Sequence, residues 1–311
     1  MLHTIILCPF FNDEASLAKF LPAIENLREI DKNNQLSVLI VNDGASKLKF
    51  QTNLSYRVIH LHRNIGHQKA IAVGLAYAYR HLSFDQIITM DCDGEDKPED
   101  IPRLLQTAGT EHKIVVAKRI SRQEGKGFRF FYKLYKLLFF LLTGKKISFG
   151  NFMLLPKKEI DKLVFYNEIW NHLAGAILLS GIPFTTIPSH RGKRYEGSSK
   201  MGFTSLLLHG LGALGVFIQV VAARLLIFSL IMVAISLIAI LLILFIKVFT
   251  TKAIPGWATT AVSSMLIILL QSFLLSLFTL FFYLLIRGQR QFIPANHFTD
   301  YVHSVETSGN E

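Results

Sequence analysis

Asp91-Cys92-Asp93-Gly94-Glu95-Asp96 follows the short apolar run Gln86-Ile87-Ile88-Thr89-Met90. A run of that length and kind forms a buried parallel strand. The acidic stretch then stands at a strand end, where alternate residues point the same way, so Asp91 and Asp93 can present oxygens to one place. Counting Glu99, five carboxylates fall within nine residues, and such a cluster repels itself unless a cation sits in it. Hard divalent cations such as Mg2+ or Mn2+ take one or two carboxylates together with the phosphates of a substrate. For the hexapeptide alone, a solvated acidic loop capping the next helix is the plainer reading. The surrounding chain decides between the two.

Outward from this stretch, strands and helices alternate. Strands are predicted at Thr4–Pro9, Leu36–Val41, Tyr56–His60, Gln86–Met90 and Lys113–Ala117, with further ones at Gly150–Leu155 and Pro183–Ser189. Helical periodicity covers Glu14–Glu29, a segment from Asn64 through Ala70–Arg80, Pro98–Gln106, a polar segment from Lys157, and Glu168–Ser180. Ala72, Gly74, Ala76 and Ala78 suit close packing on a sheet. The alternation predicts an α/β domain with a mostly parallel sheet. Ligands of such sheets bind beyond the carboxyl ends of the strands. Asp13, Asp43 and the pair Asp91/Asp93 all fall at predicted strand ends, so three acidic motifs share one sheet edge.

Charge is unevenly spread along the 311 residues. Residues 1–111 carry 11 Lys/Arg against 14 Asp/Glu, 112–200 carry 17 against 5, and 201–311 carry 5 against 3, for a net +11. The basic middle segment implies an anionic partner. Its basic residues interleave with aromatics, which favours lipid and argues against nucleic acid. In 126–142, Lys126, Arg129, Lys133 and Lys136 form a helical stripe beside Phe128, Phe130, Phe131, Leu134 and Tyr135, the composition of a helix lying in a membrane interface. Residues 201–219 are apolar and Gly-rich and suit a juxtamembrane helix. Leu225–Ile246 holds 22 residues without charge, about 33 Å of helix and enough for a bilayer core. Ala258–Ile286, with 29, spans with tilt. Within 220–290 the two form a transmembrane hairpin, followed by a polar tail, 291–311, expected to be loosely ordered. An even number of spans puts both flanks on one side. The N-terminal apolar run is short and lacks a basic leader, so the domain and both termini are expected in the cytosol, on an inner, plasma or endoplasmic-type membrane. Cys8 and Cys92, the only cysteines, make no disulfide framework and fit a reducing compartment.

Together these motifs resemble family 2 glycosyltransferases, and most of all the membrane-bound polyprenyl-phosphate glycosyltransferases of the dolichol-phosphate mannosyltransferase type. Pro9-Phe10-Phe11-Asn12-Asp13-Glu14 resembles their P-x-Y-N-E-E opening. Asn42-Asp43-Gly44-Ala45-Ser46 resembles D-D-G-S. Asp91 to Asp96 resembles D-A-D-L-Q-D, continued by Lys97-Pro98-Glu99. Arg191-x-x-Arg194-x-x-Gly197-x-Ser199-Lys200 resembles the R-x-x-R-x-x-G-x-S-K run ahead of the membrane segments. The resemblance implies a GT-A-like, Rossmann-type catalytic domain over residues 1–200 and inverting sugar transfer from a UDP- or GDP-linked nucleotide-diphosphate sugar to a polyprenyl phosphate. It implies donor binding by Pro9, Phe11, Asp13, Asp43, Gly66, His67, Lys69 and Asp91. Mg2+ or Mn2+ would sit on Asp91 and Asp93, with Glu95 a further ligand. Asp91, Asp93 and Arg119 would be catalytic. Arg119, Arg129, Asn151, Arg191, Arg194 and Lys200 would face the acceptor phosphate.

Several positions depart from the family pattern. Asp13 replaces Glu, Asn42 replaces Asp, Glu95 replaces Gln, and Asn151 stands where some relatives carry an Asp that would act as a base. A lipid phosphate is already anionic and needs no base, so Asn151 fits a phosphate acceptor. His67 and His172 read as structural or binding residues. Hairpin anchors of this kind often pack together, which leaves homo-oligomerisation open. Two other functions compete. A polysaccharide synthase would bring a Q-x-x-R-W motif and more spans, and neither occurs here. A non-catalytic membrane subunit handling lipid-linked sugar would explain the altered Asn42 and Glu95.

Overall fold

Period-two alternation of apolar residues sets both faces of the sheet. In β1 (Leu2–Phe10), Ile5 and Leu7 face one core, while Ile6, Cys8 and Phe10 face the other. The computed structural model describes residues 2–30, 34–44, 48, 50–111, 113–120, 126–196, 203–249, 256–289 and 291–308. After β1 come α1 (Glu14–Ile30), β2 (Asn34–Asn42), β3 (Ser55–Leu61), α2 (His67–His81) and β4 (Gln86–Thr89). A 3-10 turn, Pro98–Asp100, leads into α3 (Ile101–Glu111), then β5 (Ile114–Arg119), α4 (Lys126–Thr143), β6 (Met153–Pro156) and α5 (Lys157–Leu163). A second 3-10 turn, Asn167–Trp170, precedes α6 (Leu173–Ser180) and β7 (Phe184–Ser189).

The sheet has eight strands in the order β7-β5-β6-β4-β1-β2-β3, with an eighth, β8 (Val302–Thr307), beyond β3. β1 runs parallel to β2 and β4, β2 to β3, and β5 to β7, whereas β6 is antiparallel to β4 and β5. This mostly parallel, two-faced sheet is the GT-A-like architecture expected from the sequence. Residues of α2, α5 and α6 cover one face and those of α1 and α3 the other, so the central strands β1, β2 and β4 are buried on both sides, while the edge strand β8 is largely exposed. α2 packs on β1 so closely that a Cβ at Gly74 would lie 2.4 Å from Leu7 Cδ1. The small-residue run in this helix therefore serves packing.

Two expected helices are shorter than predicted. α2 starts at His67 rather than near Asn64, because the preceding backbone turns through Gly66 at φ 91°. The segment expected as one helix from Glu168 breaks at His172, which is extended; its Nδ1 accepts a hydrogen bond from Gly175 N at 3.0 Å and caps α6.

The polar tail needs a larger correction. Residues 294–307 form α10 (Pro294–His297), a 3-10 turn (Phe298–Tyr301) and β8, which pairs antiparallel with β3. Ala295 N donates to Val164 O at 3.0 Å, and His62 N to Tyr301 O at 3.0 Å. Ala295 and Phe298 are buried, and Trp170 stacks on Phe292 and Tyr301 with ring centroids 4.1 and 4.9 Å apart. Polar composition hid three aromatic anchors, and these, with strand pairing, hold the segment.

The chain divides into two compact units. The first is Met1–Leu137, Lys145–Val216 and Gln291–Glu311, and includes α7 (Phe203–Val216). The second is Leu138–Gly144 and Phe217–Arg290. It holds α8 (Ile218–Phe249) and α9 (Trp257–Gly288), both long and apolar enough to cross a membrane. Only 11% and 6% of their most apolar windows are buried, so neither is the core helix of a soluble fold. Within this unit Arg224 donates to Leu141 O at 2.7 Å, capping the last turn of α4. The second unit makes the chain a membrane protein.

Candidate active site

The carboxyl edge of the parallel strands gathers the acidic motifs. Asp43 follows β2 and is almost fully buried. Its two oxygens accept hydrogen bonds from Ile65 N at 2.7 Å and Gly66 N at 2.8 Å. Asp43 thereby fixes the turn into α2, and burial raises its pKa. Neighbouring Asn42 bridges inward: its Oδ1 accepts from Gly44 N at 3.0 Å, and its Nδ2 lies 3.0 Å from His60 Nδ1. His60 Nε2 in turn lies 3.2 Å from Glu306 of β8. The replacement of Asp by Asn thus sits against a histidine, to which an amide can donate and a carboxylate cannot.

Asp91 and Asp93 lie just past β4. Asp91 Oδ1 is sealed from solvent and has no hydrogen-bond donor. Its nearest ring nitrogen is His67 Nε2 at 3.3 Å, which also lies 3.0 Å from the Asn151 amide nitrogen. Burial lowers the His67 pKa and keeps the ring neutral. The Asp91 carboxyl is pushed up to about 7 by burial and then by the charge of Asp93; Asp93 is raised for the same first reason. Asp96, which the sequence reading passed over, is the internal brace. Its Oδ2 accepts from Asp91 N at 3.0 Å and its Oδ1 from Arg119 at 3.1 Å, while burial lifts it to about 6. Its place as the last acid of the hexapeptide was the available signal.

The basic loop after β7 lies on this cluster. Gly192 N donates to Glu95 O at 2.9 Å and Tyr195 N to Asp93 O at 2.8 Å. The backbones approach so closely that a Cβ on Gly192 would fall 2.1 Å from the Gly94 carbonyl oxygen, and Gly94 itself has φ 87°. Arg194 reaches Asp93 at 3.0 Å, Asp13 at 3.2 Å and Glu95 at 3.9 Å, and Arg191 reaches Glu95 at 2.5 Å. The guanidinium groups of Arg119, Arg191 and Arg194, expected on a phosphate, rest on carboxylates in the structure. With all five ionised, Asp13, Asp91, Asp93, Glu95 and Asp96 carry two more negative charges than these three arginines balance, and burial of Asp91 and Asp96 without a further cation holds protons on them instead. Among the described residues no three side chains form a ready metal cage. An all-carboxylate donor set with an orphaned Asp91 oxygen nonetheless fits a hard cation that a substrate diphosphate would help to hold.

The other expected site residues divide as follows. Pro9 is buried, with its carbonyl 3.8 Å from Cys92 Sγ, and Phe11 is exposed at the strand end. Lys69 sits 5.5 Å over the Trp170 ring. Asn151 is held against His67, whose ring in turn lies beside Asp91. Arg129 lies on α4, with its side chain outside what is described, and Lys200 lies outside the described residues.

Known proteins bear on this edge directly. A Bacillus subtilis (strain 168) protein, named uncharacterized glycosyltransferase YkcC, is 25% identical over 274 residues, covering 84% of this chain and 82% of its own length. An undecaprenyl-phosphate 4-deoxy-4-formamido-L-arabinose transferase of Salmonella choleraesuis (strain SC-B67) is 27% identical over 212 residues, 65% of this chain and 63% of that protein. Glucosyl-3-phosphoglycerate synthase from Mycobacterium tuberculosis, solved with Mn2+ and UDP-glucose, overlaps 70% of this chain and 78% of its own at 13% identity and a TM-score of 0.46, too loose to carry an argument. Glycosyl transferase family 2 matches residues 5–172, from the first strand through the cap of α6, a stretch that contains every carboxylate of the cluster. The chain therefore belongs to glycosyl transferase family 2 and is a glycosyltransferase.

Proposed function

We propose that this glycosyltransferase moves a sugar, with inversion, from a nucleotide-diphosphate sugar to a polyprenyl phosphate at the cytosolic face of a membrane. The observation that carries the reading is the orphaned, buried Asp91 oxygen in a cluster whose carboxylates outnumber the arginines paired with them. Asp91 and Asp93, with Glu95 beside them, would hold Mg2+ or Mn2+. That ion supplies neutralisation of the charge that builds on the departing nucleoside diphosphate. Asp43, locked by Ile65 and Gly66, shapes the donor side, and Asp96 with Arg119 fixes the backbone of Asp91.

The acceptor fits the chemistry of the remaining residues. Asn151 stands where some relatives carry an Asp, and its amide cannot take the proton of a hydroxyl nucleophile. A phosphate monoester arrives already ionised, so positioning and charge stabilisation suffice. Arginine is suited to gripping it by bidentate hydrogen bonds. The Salmonella relative's name specifies an undecaprenyl phosphate, and the apolar α8 and α9 would keep such a lipid's membrane within reach. On α4, Phe131, Leu134, Leu137 and Leu141 are exposed beside Lys133 and Lys136, as an interfacial helix requires.

Asp93→Ala tests the assignment. Transfer from the nucleotide sugar should fall at least about 100-fold, the scale of removing a principal electrostatic group, while the variant still fractionates with membranes. Near-wild-type transfer by Asp93→Ala would remove Asp93 from the machinery.

A further inference from the structure

Arg194 is placed as a cation would be. Its two terminal nitrogens bind Asp93 and Asp13 at 3.0 and 3.2 Å, and one of them is 3.9 Å from Glu95. All four side chains are at most 21% exposed, so water screens these pairs little. The loop that carries Arg194 is seated by backbone hydrogen bonds to Asp93 and Glu95 and by Lys19, which bonds Glu196 at 2.5 Å. Its fit depends on Gly192, where any side chain would strike the Gly94 carbonyl. Arg194 is therefore held over the cluster by several independent contacts.

A carboxylate group cannot serve a guanidinium and a divalent cation with the same oxygens. Three acidic side chains without a counter-ion would spread apart, so some positive charge must hold them before a metal arrives. We infer that Arg194 is a built-in stand-in for the divalent cation: it positions Asp13, Asp93 and Glu95 before metal binds, competes with the metal for Asp93 and Glu95, and is released to phosphate oxygens once metal and nucleotide are bound. This inference rests on the metal-dependent reading above. It gives Arg194 opposite effects on two measurable quantities. Against bare metal it is a competitor; with a phosphate-bearing ligand present it is a partner.

The test is Mn2+ binding to the full-length protein in nanodiscs, followed by the electron paramagnetic resonance signal of free Mn2+, for wild type, Arg194→Gln and Arg194→Lys. Mn2+ alone should bind Arg194→Gln about tenfold more tightly than wild type, the effect of deleting one competing charge. Arg194→Lys, which keeps the charge, should stay within about threefold of wild type. Adding UDP or GDP should erase or reverse the gain of Arg194→Gln, and vesicles carrying a polyprenyl phosphate without nucleotide should show whether the lipid phosphate alone has the same effect. Either source of phosphate supports the release step, and an effect from neither overturns it. Equal or weaker Mn2+ binding by Arg194→Gln, with a Tm within a few degrees of wild type, overturns the competition. If that variant unfolds, Arg194→Met takes its place under the same criterion. Absence of Mn2+ binding by every form, with and without nucleotide, would instead overturn the metal-dependent reading itself, and the inference with it.

Discussion

Asp91 shows most clearly what a single residue can reveal. Its position was legible, because a strand end followed by an x-acid alternation puts two carboxylates on one side. Its missing donor was not, since that depends on Asn151 and His67, which the fold brings from 60 and 24 positions away. The same holds for Arg194, which lies 181 positions from Asp13. The sequence leads to the expectation that it faces a phosphate; the structure sets it on Asp13 and Asp93. A pH dependence follows from burial. Asp91 is raised to about 7 and Asp96 to about 6, above the ordinary carboxylate value near 4. The native state thus holds these protons more tightly than the unfolded chain, and stability is gained as pH falls through about 7 toward 4. Without metal, lowering the pH from 8 to 6 should raise Tm by about 1–3 °C in a fluorescence melt. Saturating Mn2+ should reverse the trend, because it binds the ionised carboxylates that prevail at the higher pH. A cation-free Tm that drops on acidification from 8 to 6 would contradict the assignment of these raised values.

At the scale of elements, the strands were read well because each is a compact apolar run bounded by polar residues. The failures have a common cause. β8 contributes only Val302 and Val305 as apolar residues and is identified by its partner β3, hundreds of residues away in sequence. The break before α6 depends on one histidine cap in an otherwise apolar helical pattern. The tail is an element with consequences, since it brings Glu306 to His60 and, through Asn42, to the Gly44 turn. Its anchor is the Trp170 cluster with Phe292 and Tyr301. Trp170→Ala should weaken the docking of this segment by about 2 kcal/mol. Chymotrypsin should then cut at Phe298 or Tyr301 faster in the variant than in wild type, as read by loss of a C-terminal tag on a blot. Equal cleavage rates would show that strand pairing alone holds the tail.

For the whole molecule, the hairpin and the family were the most legible features, because a charge-free run of this length and four ordered motifs each leave few alternatives. Orientation is a further matter and is open to a direct probe. Cys8 and Cys92 are buried, and burial raises both thiols far above their usual pKa, so they should stay silent to maleimides. Ser304→Cys places a thiol on exposed β8. A membrane-impermeant maleimide should label it in inside-out vesicles and leave it unlabelled in right-side-out ones; the reverse pattern would put the catalytic unit on the far side. The central claim, metal-dependent sugar transfer to a lipid phosphate, meets its most direct test in one reaction. Purified protein is mixed with a polyprenyl phosphate, Mn2+ and a panel of UDP- and GDP-linked sugars, and the lipid phase is read by mass spectrometry. A glycosylated polyprenyl phosphate should form with one of the donors and vanish when EDTA removes the metal. A panel that yields no glycolipid, or a product indifferent to EDTA, would contradict the account.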